Sequence, residues 1–285
     1  MIIYNRQTKE YINNIEYKEK ELNFLYGTLL GRIILKLVIA RPYYSKLCAI
    51  RKNSPKSEKD IYDFVEKYNI NISDDELRKF NTFNEFFTRR REIVKQDSDE
   101  KDLIAVADAK LSVYDITNDL KINIKNSIYT LDEIVKYHRV IDEFSGGKCL
   151  IYRLTMDDYH RYHYLDNGKT YSKYFIKGEL HTIRPINKRY KAYARNCREV
   201  TLLDTENFGR VVQVEIGATL VGHIVNSHKE RFNRLDEKGY FEYGGSTIIL
   251  LLNKNVKIDE DILARSDDGI EVQVHIGEKI GYIEK

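Results

Sequence analysis

The chain has 285 residues, enough to bury a substantial core as one large unit or two small ones. With 42% hydrophobic and 32% charged residues it is not globally disordered. Its 47 basic and 44 acidic side chains leave a net charge of +3, too balanced to indicate a nucleic-acid partner.

The N-terminus, Met1-Ile2-Ile3-Tyr4-Asn5-Arg6-Gln7, lacks a charged segment followed by an apolar run, so no signal peptide is expected. Residues 15–50 read as a helical region. Within it, 29–40 is the longest apolar stretch, broken by Arg32 and Lys36 and shorter than the roughly 20 residues of a spanning helix. Arg32 and Lys36 share one helix face, while Leu29, Leu30, Ile33, Ile34, Leu37 and Val38 fall elsewhere. Two readings stand: a helix packed on its own domain, or a basic amphipathic helix in the interface of an anionic membrane. A second helix is expected over 57–68 with Ser57 as its N-cap, and Ser73-Asp74-Asp75-Glu76 has a capping-box pattern. Phe83 and Phe87 then open an aromatic stripe at helical spacing, read as core packing.

From about Ala105 short strands take over, among them 149–154, 211–216, 246–252 and 271–276. No alternating strand–helix series is present, which excludes a doubly wound parallel sheet. A weak repeat relates Val212-Gln213-Val214-Glu215-Ile216-Gly217 to Val272-Gln273-Val274-His275-Ile276-Gly277. The expected fold class is therefore α+β. An N-terminal helical, membrane-associating region over 1–100 precedes a β-rich, pseudo-symmetric barrel or sandwich over 101–285. Cys48, Cys149 and Cys197 form no CxxC, which fits a reducing compartment.

Two segments carry chemistry. In Gly244-Gly245-Ser246-Thr247, glycines tolerate a kinked backbone, and a serine hydroxyl can attack the preceding carbonyl if a base and an oxyanion donor are present. Taken alone, the run reads as an ordinary turn. His160 and His163 sit in Asp158-Tyr159-His160-Arg161-Tyr162-His163. Their HxxH spacing would suit a metal on a helix, but no third ligand is evident, so no metal is expected. Beside Asp157 and Asp158, the two histidines make an acid–base site.

Together these segments resemble phosphatidylserine decarboxylase proenzymes over nearly the whole chain. Phe83-Asn84-Glu85-Phe86-Phe87-Thr88-Arg89 is similar to the family's FN-x-FF-x-R, and 105–110 to its SP-x-DGK. Residues 158–163 are similar to DYHR-x-H, His181-Thr182-Ile183-Arg184-Pro185 to HT-V-N-P, and Asn196-Cys197-Arg198-Glu199 to N-x-RE. Val214 to Gly222 is similar to V-x-VGA-x-x-VG, ahead of Gly244-Gly245-Ser246-Thr247. In departures, Ala105, Ala107 and Ala109 replace the usual residues around Asp108, Gln96-Asp97-Ser98 stands where the family has Arg-Pro, and Arg234-Leu235 replaces Lys-Gly. If the glycine replaced by Ala109 needs positive φ, Asp108 would be displaced and processing slowed.

The resemblance implies self-cleavage between Gly245 and Ser246 into a β subunit (1–245) and an α subunit (246–285). Ser246 would be the nucleophile and become a covalent pyruvoyl (pyruvate) cofactor, and Gly245 would supply the attacked carbonyl. His163 would act as base, oriented by Asp108. His160 would act later, near the substrate carboxylate or as a proton donor. The implied reaction turns phosphatidylserine into phosphatidylethanolamine and CO2 through a Schiff base. Implied partners are phosphatidylserine, an anionic membrane surface, the two subunits of one precursor and a homodimer, with no nucleic acid. The expected location is peripheral, on the cytoplasmic face of the cell membrane. The alternatives are a relative decarboxylating a soluble amino acid, a non-catalytic membrane-binding homologue, and a metal-dependent hydrolase using His160 and His163.

Overall fold

A computed structural model describes residues 2–13, 19–93, 99–125, 127–137, 141–183, 190–219, 223–227, 229–244 and 246–284. Gly245, Arg184-Pro185, Gln96-Asp97-Ser98 and Leu220 to Gly222 lie outside them, as does the start of the expected 15–50 helical region.

The body is α+β and centres on a ten-stranded sheet. Its order is Arg231–Phe232, Gly168–Ile176, Arg198–Thr205, Gly209–Gly217, Ser246–Leu252, Lys148–Leu154, Ala109–Asp115, Glu271–Val274, Ile2–Asn5, Glu10–Asn13. All neighbours are antiparallel except Ile2–Asn5 on Glu271–Val274. The expected barrel is not closed. The strand Glu271–Val274 is instead covered by the N-terminal hairpin, which leaves the sheet open at both ends. The same hairpin corrects the helical expectation for the start of residues 1–100, because among the described residues the first helix begins at Glu19. Arg6 fixes the hairpin to Asp259, Asp261 and Glu278 at 2.8–2.9 Å.

Both faces of the central strands are covered. Alternation sends Ile248, Leu250 and Leu252 into one core and Ile249 and Leu251 into the other. The first core is closed by two three-stranded sheets, Ile224–Asn226 with Glu237–Phe241 and Arg161–His163, and Val256–Ile258 with Lys279–Ile283 and Asp102–Ile104. Each copy of the sequence repeat thus leaves the large sheet and feeds one small sheet. Ser246 shares the parity of Ile248, so its side chain faces this first layer.

The helices of the first hundred residues form two groups. Lys59–Tyr68 and Phe83–Phe87 pack an aromatic core of Phe64, Phe83, Phe86 and Phe87 against the body. Ser57 is not the expected N-cap. It ends the short turn Pro55–Ser57, donating to Lys52 O and accepting from Phe83 N, so its hydroxyl is already committed. Ser73 does cap Asp74–Leu77. The second group is Glu19–Gly27, Leu29–Ile34 with the π-helical turn Leu35–Ile39, and Pro42–Lys52. Thr28 turns the chain by accepting from Gly31 N and donating to Phe24 O, and 20–27 meets 29–39 at 88°. Gly31 is required there, because a Cβ would lie 2.1 Å from Phe24 O. Leu35 is buried against Tyr26 and Ala40, while Leu29, Leu30, Ile33, Leu37, Tyr43, Leu47 and Ile50 are exposed. No single helix among the described residues is long and apolar enough to cross a membrane.

Candidate active site

Ser246 opens the central strand, opposite Gly217 on one side and Leu154 on the other. Both Ser246 and Thr247 are fully buried. Gly244, two residues earlier, takes φ +133°, a backbone open mainly to glycine. Tyr243 packs edge-on against Phe83 and Phe87, at 5.1 and 5.4 Å, and so anchors the approach to Ser246. The aromatic stripe is therefore core, as its spacing implied, and also a wall of the site: Phe87 stacks on His160 at 4.2 Å.

His160 is the histidine that reaches Ser246. Its Nδ1 lies 3.5 Å from Ser246 Oγ, a long hydrogen bond, and its Nε2 lies 3.0 Å from Thr155 O. A carbonyl can only accept, so Nε2 carries the proton and Nδ1 is free to accept one from the serine. A buried network holds Thr155 in place. Lys110 Nζ donates at 2.7 Å to both Thr155 Oγ1 and Asp158 Oδ1, and Asp158 Oδ2 accepts from Thr155 N and Oγ1 at 2.7 and 2.8 Å. Burial alone would lower the Lys110 ammonium, but the Asp158 and Asp157 carboxylates raise it, so it stays charged. Burial pushes His160 down to about 3, keeping it neutral.

His163 lies on the Arg161–His163 strand, its N–H bonded to Val106 O. Its Nδ1 is buried without a hydrogen-bond partner among the described residues, and burial with the nearby Arg91 charge lowers the ring to about 4. Among the described residues no hydrogen bond joins it to Ser246 or Asp108. Asp108 Oδ1 instead accepts from Arg91 Nη2 at 2.7 Å and Ile276 N at 3.0 Å, and Oδ2 lies 3.8 Å from His275 Nδ1. Burial would lift this carboxyl, but His275 and Arg91 hold it below its ordinary value. The structure thus brings Ser246 to His160, and sets Asp108 among Arg91 and His275. No group of metal-ligating side chains is present among the described residues.

Sequence reasoning assigned no role here to Arg91, His275, Thr155 or Lys110. The repeat held one signal, since His275 stands where the first copy has Glu215. Ala109 is no obstacle: it starts a strand without left-handed backbone, and is buried. The departure that costs is Leu235, which takes φ +66° where the family has glycine.

The family described as phosphatidylserine decarboxylase matches residues 82–282. The chain belongs to this family. It is 49% identical over 283 residues to phosphatidylserine decarboxylase proenzyme 2 of Clostridium acetobutylicum, covering 98% of this chain and 97% of that protein. It is 39% identical to the phosphatidylserine decarboxylase proenzyme of Ruminiclostridium cellulolyticum, covering 98% and 96%. The proenzyme of Clostridium botulinum (strain Alaska E43 / Type E3) is also 39% identical, with 98% of each chain covered.

Proposed function

We propose that this chain is a self-processing decarboxylase that converts phosphatidylserine to phosphatidylethanolamine and CO2, using a pyruvoyl group made from Ser246. One observation carries the reading: Ser246 opens a buried strand with the acceptor nitrogen of a neutral histidine 3.5 Å from its hydroxyl. A carbonyl group on residue 246 fits this place, which is closed to water and walled by His160 and Phe87. Such a group supplies an electrophilic carbonyl for an amine and a sink for the electrons that a departing carboxylate leaves behind.

The chain's own residues divide the proton work. His163 takes the Ser246 proton for cleavage, as the family resemblance implies; its ring is neutral, and its buried Nδ1 is without a hydrogen-bond partner among the described residues, so it is open to accept a proton. Asp108, kept anionic by Arg91 and His275, stabilises the charge that His163 then gains. His160, its Nε2 held on Thr155 O, exchanges a proton through Nδ1 at position 246 in the later step. The 3.5 Å contact also favours a second reading, in which His160 is itself the cleavage base. After cleavage the α subunit stays bound, because Ser246–Leu252 lies between two strands of the β subunit. The substrate is met at the anionic cytoplasmic face of a membrane, where the exposed leucines of 29–50 and the basic side chains among them settle.

Intact mass measurement of purified chains tests this. Wild type is expected as two chains, one ending at Gly245 and one starting with a pyruvoyl group, and Ser246→Ala as one inactive chain. His163→Ala is expected to stay whole, and His160→Ala to be cut yet release little CO2. A whole His160→Ala chain beside a cut His163→Ala chain would transfer the base role to His160. Full activity in Ser246→Ala would end the proposal.

A further inference from the structure

The buried and half-buried cations around the site are nearly all matched by carboxylates. Arg91 is bonded to Asp108 at 2.7 Å, Lys110 to Asp158 at 2.7 Å, and Lys238 to Glu215 at 2.8 Å. Arg161 is bonded to Glu237 at 2.6 Å, and Arg153 Nε to Glu271 at 2.9 Å. Arg89 is different. Its half-buried guanidinium makes one hydrogen bond, from Nη1 to Phe86 O at 3.2 Å, and no ion pair among the described residues. It also lies over the Phe86 ring at 4.7 Å. Arginine has five N–H donors in a planar fork, so most of this fork is unused.

Its position is fixed from both sides. Thr88 O accepts from Arg161 Nε at 2.8 Å, and Arg91 N donates to Tyr159 OH at 3.1 Å. Arg89 is therefore held along the 159–161 segment, two residues past the helix whose Phe87 lies on His160. Burial lowers the Arg89 guanidinium, and its charge is one of those that depress His160. Asp108 and Glu76 offset this only at a distance, with no carboxylate bonded to the fork among the described residues, so a cation partly stripped of water keeps a cost that an arriving anion removes.

The geometry points to Arg89 as an anion-recognition residue whose guanidinium receives the phosphodiester or the carboxylate of the phosphatidylserine headgroup beside His160. The identity of the headgroup rests on the decarboxylase reading; the open fork does not. Both groups match a guanidinium fork in charge and geometry.

The test uses the full Ser246→Ala chain, which lacks the nucleophile and so cannot turn ligand over, with Arg, Gln or Lys at position 89. Titration calorimetry with glycerophosphoserine is expected to show a loss of about tenfold or more in Arg89→Gln, partly restored in Arg89→Lys. An equal loss for glycerophosphoethanolamine assigns the phosphodiester, and a loss confined to glycerophosphoserine and free serine assigns the carboxylate. The native chain gives a second measurement that needs no variant: phenylglyoxal should label Arg89, and glycerophosphoserine should shield it. Undetectable binding to the Arg89 chain, equal affinities in all three chains, or labelling that the headgroup does not slow would overturn the inference. A wild-type chain that binds through Arg89 but releases no CO2 from phosphatidylserine would sink the decarboxylase reading and leave the anion site standing.

Discussion

The strand Ser246–Leu252 and the helices spanning 29–50 carry comparable runs of leucine and isoleucine. In the strand every residue is buried, with Ile248, Ile249, Leu250 and Leu251 at 0% exposure, whereas Leu29 is 72%, Leu37 58% and Leu47 61% exposed. The strand finds its partners inside the chain, in two strands and two cores. The helices turn Leu35 inward against Tyr26 of the preceding helix and leave their longer apolar face without a partner among the described residues. Apolar sequence thus records the need for a partner, and only the surrounding topology tells whether the chain itself supplies one.

The largest effects should come from polar groups buried beside the strand. In the uncleaved Ser246→Ala background, Lys110→Met leaves Asp158 buried without its counter-charge and should cost about 3–5 kcal/mol in urea unfolding. In the otherwise native chain the same change should impair turnover, since Thr155 loses a bond that holds the carbonyl facing His160. A cost under about 1 kcal/mol would mean that the network is not integral to the site. Ile248→Ala should cost about 2–5 kcal/mol by opening a cavity in a strand covered on both faces.

Acid should act on the same side of the molecule. His160 and His163 are held down to about 3 and about 4, against an ordinary value of about 6.5. Below about 6.5 the unfolded chain binds protons that the folded chain refuses. Stability present above that pH is therefore lost as pH falls, by at most about 1.4 kcal/mol per unit for each histidine. Unfolding midpoints followed from neutral pH down to about 4.5 should show this slope, and His163→Gln should flatten it. An unchanged slope would mean that His163 is not held neutral by burial.

The sequence made much of this legible. Ser246, His160 and His163 stand in distinctive local patterns, Asp108 was reached only through the family resemblance, and the alternating strands and the Ser73 cap follow from side-chain period and hydrogen-bonding type. What was not legible depends on long-range register. Ile2–Asn5 joins the large sheet because Glu271–Val274, more than 260 residues away, offers an edge to its hairpin. Arg91 and His275 meet at Asp108 only after the two ends of the body pack together. The pairing of Ser246 with His160 rather than His163 depends on a turn at Thr155, which no spacing rule could supply.

The smallest change in stability is expected on the helical side, and it decides the comparison. Replacing Leu30, Leu37 and Leu47 by serine removes apolar side chains already in water, so each should shift stability by no more than about 0.5 kcal/mol. Vesicles of anionic lipid should respond differently, because a leucine carried from water into the interface contributes up to about 1.5–3 kcal/mol. Flotation of the wild type with phosphatidylserine vesicles, and its loss in the triple variant, would establish that the missing partner is lipid. Turnover should then fall on vesicles and persist on a short-chain, dispersed substrate, since no residue near Ser246 has been altered. A triple variant that floats as well as wild type would exclude this face as the membrane contact. One that loses several kcal/mol of stability would show that the helices pack against protein after all, and the contrast with the Ser246 strand would disappear.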